Sequence, residues 1–412
     1  MNRSVAFLAI ITAALPAATP ALAAPIVAAG PMIIPDSGDT GWLLASLCIG
    51  LLAAIPGICL LTIGGHGRVA ALRILTAVTA AMALATLLFF VVGYTLVFDL
   101  AGGPWIGANS NWMLGAMGTV REGTTLPETG FVLFQLGFIL IAVALLAALL
   151  APRARPGWLL GFSALWMMLV LVPIMRWTWG GGWLAEMGAM DNAGGLVIFY
   201  TTAVSAFVAM VLIGRKKEAE TPASDHGLRL IGALLLLAGM AAMAGGSSLG
   251  ASDNAAVAML TIVTAGMTGA LTSAALNRRL NASALATGMV AGVVASATAG
   301  DGISIGSAWL TGAIAAIVVH VAPRLVPKRF AWQDSDGSGV TIAAAAKTGG
   351  LLFALFLAFA PFGGSGYGEG MTMGSQFIAQ LAAILAIAGW SIFGTLVAAL
   401  MAGLALPMRA EE

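Results

Sequence analysis

Apolar stretches of bilayer-crossing length recur from one end of this chain to the other, and they constrain its fold more than any motif. They fall at residues 41–63, 71–98, 130–150, 157–175, 194–213, 228–246, 254–276, 283–299, 303–322, 339–361 and 376–406. A helix needs roughly 20 apolar residues to span hydrocarbon. In lipid, each backbone polar group must find its partner within the protein, so such segments are helical. Only 8% of the 412 residues are charged, against about 25% in soluble domains. A water-soluble enzyme is thereby excluded, and a net charge of +1 offers no basic field for nucleic acid. The expected class is an all-α integral membrane protein of eleven spans.

The first residues look like a processing signal. Arg3 precedes an apolar run at 5–15, and Ala21-Leu22-Ala23 supplies a small-residue cleavage site, the three parts of a secretory leader. Pro16 and Pro20 interrupt the segment too early for a span. The expected division is a signal peptide at 1–23, a membrane domain at 39–408 and a short cytoplasmic tail at 409–412. Lys/Arg placement orients the spans. Fourteen basic residues, among them Arg68, Arg73, Arg153, Arg155, Arg229, Arg278, Arg279 and Arg324, fall on one side, and only Arg121 and Arg176 on the other. By the positive-inside rule the amino terminus is outside and the carboxyl terminus cytoplasmic. Eleven spans divide into two five-helix halves of opposite orientation plus a last helix, an arrangement that places a substrate path at the interface of the halves.

A few residues stand out from the apolar background. Lys347 lies within the tenth span, where a charge is a functional hypothesis by default; its bland alternative is a side chain that snorkels to the cytoplasmic interface. Asp191 is placed to cap the fifth helix at its positive end. Trp179, in the Gly180-Gly181-Gly182 mouth, offers either a π-face to a cation or an interfacial belt residue. His66, His226 and His320 sit at cytoplasmic ends, so the interior holds no histidine. Cys48 and Cys59 are expected as small buried hydrophobes. No nucleophile–base pair, Walker motif or metal-ligand cluster appears, and neither an enzyme nor a cofactor is expected.

Trp179-Gly-Gly-Gly and Asp191-x-Ala-Gly-Gly, with Ile55-Pro56-Gly57, Gly93-Tyr94, Phe134-Gln135 and Gly368-Glu369-Gly370-Met371-Thr372-Met373-Gly374, resemble the ammonium transporter (Amt/Mep/Rh) superfamily in order and spacing. The resemblance runs from about Asp39 to Met408. It implies two inverted five-helix repeats plus a C-terminal helix, assembled as a homotrimer in the bacterial inner membrane with one pore per subunit. It further implies an external cation-recruitment site at Phe134, Phe138, Trp179 and Ser247, with Asp191 as a structural and electrostatic residue. The substrate would be ammonium, ammonia or methylammonium. The tail is shorter than the one through which a PII-type regulator acts on many relatives, so that partner is not expected.

The inner pore departs from the family pattern. The family's paired mid-pore histidines fall on Phe199 and on either Ala343 or Thr341, and the second aromatic gate position falls on Met243. Lys347, four residues beyond Ala343, shares its helix face and is expected near the Phe199 level, as a substitute for the lost relay. The leading expectation is a transporter with a histidine-free relay. The alternatives are a non-conducting ammonium sensor and a channel for a neutral molecule such as NH3 or CO2.

Overall fold

The computed structural model describes residues 34–214, 224–325 and 338–408. The expected signal peptide, the tail, and the basic residues Arg215, Lys216, Lys217, Lys328 and Arg329 lie outside the described residues. Those residues form an all-helical bundle of eleven apolar helices: α1 Ser37–His66, α2 Ala71–Phe98, α3 Glu128–Leu150, α4 (Pro156–Trp166, Met167–Leu171 and Val172–Thr178 in succession), α5 Gly195–Ile213, α6 His226–Ser247, α7 Asp253–Leu276, α8 Ala282–Ala297, α9 Ile305–Leu325, α10 Ser338–Phe356 and α11 Met373–Ala405. Ten are long and apolar enough to cross a membrane, and α8, at 16 residues, is shorter.

The helix ends follow from local chemistry. Asp36 accepts the Asp39 amide at 2.9 Å to start α1, Asn281 accepts that of Ala284 at 2.8 Å to start α8, and Thr372 and Ser375 form a reciprocal capping box on α11. These caps satisfy amides that have no intrahelical acceptor. The first helix of each half, α1 and α6, pack backbone to backbone: a Cβ at Gly57 would sit 2.7 Å from the Leu236 amide nitrogen, and one at Gly239 would sit 2.4 Å from that of Ala54. Nearly every residue of α3 is buried, which explains why it is apolar on all sides.

Small residues let α7, α8 and α9 approach closely, the usual means of helix association in lipid. A Cβ at Gly292 would lie 1.9 Å from the Ala265 carbonyl oxygen, and one at Gly312 would lie 2.1 Å from it. Gly292→Val should therefore cost upward of about 1–3 kcal/mol and deplete the monodisperse peak in heated size-exclusion chromatography. Gly389→Ala, which meets nothing within 4 Å, should leave that peak unchanged.

Two expectations are corrected here. The tenth span ends at Phe356 rather than at 361. The apolar residues that follow are used in a glycine-rich turn closed by the bridges Ile303↔Gly364 and Phe359↔Gly363, and Phe362 packs over Gly306. Cys59 is buried as expected, but Cys48 is exposed on the outer face of α1.

The loop from 99 to 127 folds over one end of the bundle and uses both basic residues of that side. Arg176 is buried and donates to the carbonyls of Val97, Asp99 and Gly103 at 2.8–3.1 Å. Arg121 pairs with Glu128 at 3.3 Å and lies over the Phe131 ring. Glu128 also accepts from Tyr94. Arg176 gives Nε and both terminal nitrogens to main-chain carbonyls, and Arg121 gives Nη1 to the Phe98 carbonyl and Glu128, so these cations anchor the loop.

Candidate functional site

Three aromatic rings from two helices line up beneath this loop. Phe134 and Phe138, four residues apart on α3, meet edge to face at 5.4 Å. Phe138 then contacts Trp179, at the end of α4, at 5.0 Å between centroids. Trp179 is held by its polar edge: the indole N–H donates to the Asp191 carbonyl at 2.5 Å. The ring face thus stays available while the only donor is committed. The same Asp191, through Oδ2, accepts the amides of Leu196 at 3.0 Å and Val197 at 2.7 Å, where α5 begins in a wide π-type turn at Gly195–Tyr200. Asp191 therefore fixes both the start of α5 and the angle of the indole. Its cap was legible in the sequence; its carbonyl bond to Trp179 was not.

The end of α6 closes the other side. A Cβ at Gly246 would come within 2.5 Å of the Phe134 ring, and Ser247 follows directly. The Ser247 hydroxyl donates to the Ala244 carbonyl at 2.7 Å, so its oxygen can only accept from a ligand. Two residues missed at the sequence level also belong here. Trp42 of α1 donates to the Gly245 carbonyl at 3.0 Å. Ser46, whose hydroxyl is buried without a partner, packs on Gly246. Only helix spacing from Pro56 could have pointed to them.

Below the rings the path narrows and changes character. Met243 is fully buried, its thioether wedged against Gly50 and Gly137 beside Phe138. Phe199, 1% exposed, sits at the end of a cavity of about 640 Å³. Aliphatic side chains such as Ile58, Leu145, Val290 and Val294 line its depth, and the cavity opens among Thr62, His226, Arg229, Asn277 and His320. The described residues include no cluster of His, Cys, Asp or Glu able to hold a metal.

Helix α10 turns out differently from the sequence reading. Thr341 and its neighbour Ile342 line the cavity with Phe199, whereas Ala343 is half-buried and does not line it. Lys347 is exposed, on the outer face of the bundle. Ala343 and Lys347 do share a face, but it is not the pore face. A shift of one residue turns a side chain by about 100°, and the alanine run offers no polarity to set the register. Lys347 therefore does not enter the cavity beside Phe199. Lys347→Met should leave methylammonium uptake by reconstituted protein within a factor of about two of wild type, the range of a surface change away from a built site.

The whole described bundle, from α1 onward, matches one family. The sequence fits the profile described as "Ammonium Transporter Family" over residues 41–412. The chain belongs to the ammonium transporter family. A putative ammonium transporter of Methanothermobacter thermautotrophicus is 29% identical over 310 residues, covering 73% of this chain and 75% of that protein. An ammonium transporter of Aquifex aeolicus is 31% identical over 237 residues, covering 57% and 55%; that match spans little more than half of either protein. The crystal structure of Saccharomyces cerevisiae Mep2 superposes with a TM-score of 0.79 at 25% identity, covering 92% of this chain and 91% of that one. The all-helical fold described above, ten helices of membrane-crossing length and one shorter apolar helix, is the fold of that structure.

Proposed function

We propose that this family member conducts ammonium nitrogen across a membrane by taking NH4+ at the external vestibule and passing neutral ammonia inward. The observation that carries this reading is the aromatic row Phe134–Phe138–Trp179, closed by the acceptor oxygen of Ser247. An ammonium ion has four N–H donors and no apolar part, so it must replace water with π-faces and lone pairs. Each cation–π contact contributes about 0.5–2 kcal/mol, and Ser247 supplies a directed hydrogen bond. The Asp191 carboxylate adds negative potential without facing the ion.

Past Phe199 the lining is mostly aliphatic, with the hydroxyls of Ser273, Thr287 and Thr341 among it, and the ionisable groups at the cavity among the described residues are the histidines and arginine of its mouth. A cation in that stretch would lose its hydration with no compensating carboxylate. Ammonia pays a smaller penalty, so the proton stays on the entry side. The placement we propose is the bacterial inner membrane, amino terminus outside, as a homotrimer. Large exposed aliphatics along α1 and α7, such as Leu52 and Leu271, suit lipid or a neighbouring subunit. One observation favours a second reading, a sensor that binds but does not conduct: Phe199 closes the path with a fully buried ring.

Uptake of labelled methylammonium into liposomes tests the vestibule. In Trp179→Leu the apparent KM should rise about tenfold or more, the loss of one strong cation–π contact. An unchanged KM would remove the vestibule from the account.

A further inference from the structure

The cytoplasmic cavity is built for something larger and of opposite charge to ammonium. Its volume, about 640 Å³, lies within the range of pockets that hold organic ligands, roughly 300–1,000 Å³. Its depth is mostly aliphatic, and its mouth carries Arg229, His226 and His320 with the amides of Asn277 and Asn281, while no carboxylate is among the described lining residues.

Arg229 is the decisive group. Its amide donates to the Asp225 carbonyl at 3.1 Å. Its stem lies over Gly64 of α1, where a Cβ would come within 2.6 Å of Cγ. Its Nε–H is buried with no hydrogen-bond partner, and it makes no ion pair among the described residues. The adjacent carboxylate of Asp225 is already engaged, by the Leu228 amide at 3.0 Å and by Arg68 at 3.2 Å. On the far wall, His320 is held by Arg324 at 3.2 Å. A guanidinium with a desolvated, unsatisfied donor beside an apolar well fits a carboxylate attached to an apolar body.

We infer that this cavity binds an amphipathic organic anion from the cytoplasm, with its carboxylate on Arg229 and its apolar body directed toward Phe199. Such an occupant would stand in the exit path of the ammonia proposed above. That consequence rests on the transport reading, but binding itself does not.

Isothermal titration calorimetry on the protein in lipid nanodiscs, with empty nanodiscs subtracted, separates these terms. The probes are 3-phenylpropanoate, 3-phenylpropanol and 3-phenylpropylammonium, which share one apolar body. The carboxylate should bind saturably, at least tenfold tighter than the alcohol, and the ammonium not at all. Arg229→Gln should bring the carboxylate down to the alcohol's level with the alcohol unchanged, and Arg229→Lys should keep part of the preference. Thr287→Trp, which fills the cavity from its α8 wall, should remove both. Equal binding of carboxylate and alcohol, a preference that survives Arg229→Gln, or no binding by any probe would overturn the proposal.

Discussion

Asp191→Ala is expected to reduce ammonium uptake to the level of protein-free liposomes. The carboxylate accepts two buried amides at the start of α5, and its removal leaves both unsatisfied at about 1–3 kcal/mol each. That strain falls on the turn that carries Phe199, and on the main-chain carbonyl that orients Trp179. The two elements needed for capture and passage are thus disturbed together. Asp191→Asn keeps one acceptor oxygen for the amides and should retain roughly a tenth of the activity, about 1.4 kcal/mol. Uptake measured beside the amount of folded protein in the same liposomes checks both variants. Full activity in Asp191→Ala would show that the α5 turn stands without its cap.

Phe199→Ala should act in the opposite direction. It joins the vestibule to the cavity beyond it by removing the ring between them. The usual cost of a buried Phe→Ala change, about 3–5 kcal/mol, is lowered because Phe199 already faces open volume on one side. The expected result is a severalfold rise in protein-dependent ammonia flux, with weaker discrimination against amines larger than methylamine, which the ring excludes by size. Stopped-flow recording of luminal pH reads both. A wild type with no flux that gains it in Phe199→Ala would favour the sensor reading; an unchanged rate would place the constriction elsewhere.

Much of the fold was legible because the constraint behind it is simple. Hydrocarbon demands long apolar helices, and ten of the eleven expected spans are long enough to cross while the eighth is a shorter apolar helix. The aromatic row was reached through the family resemblance, which carries Phe134 and Phe138 to Trp179, and the Asp191 cap because a lone carboxylate before a helix has few other uses. The face of α10 could not be found. Residues 343–346 are four alanines, so no periodicity distinguishes the cavity side, and Lys347 was assigned inward by a counting argument that the helix overturns. Ile342 was missed for the same reason. The cavity itself leaves no motif, since it is an absence of side-chain volume shared among several helices, and the Arg229 guanidinium looks in sequence like any other basic residue near a cytoplasmic helix end.

The central claim is that a cation is captured and a neutral molecule crosses. An ammonium concentration jump on proteoliposomes, with transmembrane current and luminal pH recorded together, addresses it directly. The account predicts a saturable luminal alkalinisation, above that of protein-free liposomes and weakened in Trp179→Leu, with no protein-dependent current. A saturable inward current carried with the ammonium would contradict it, because the proton would then cross the aliphatic stretch beyond Phe199.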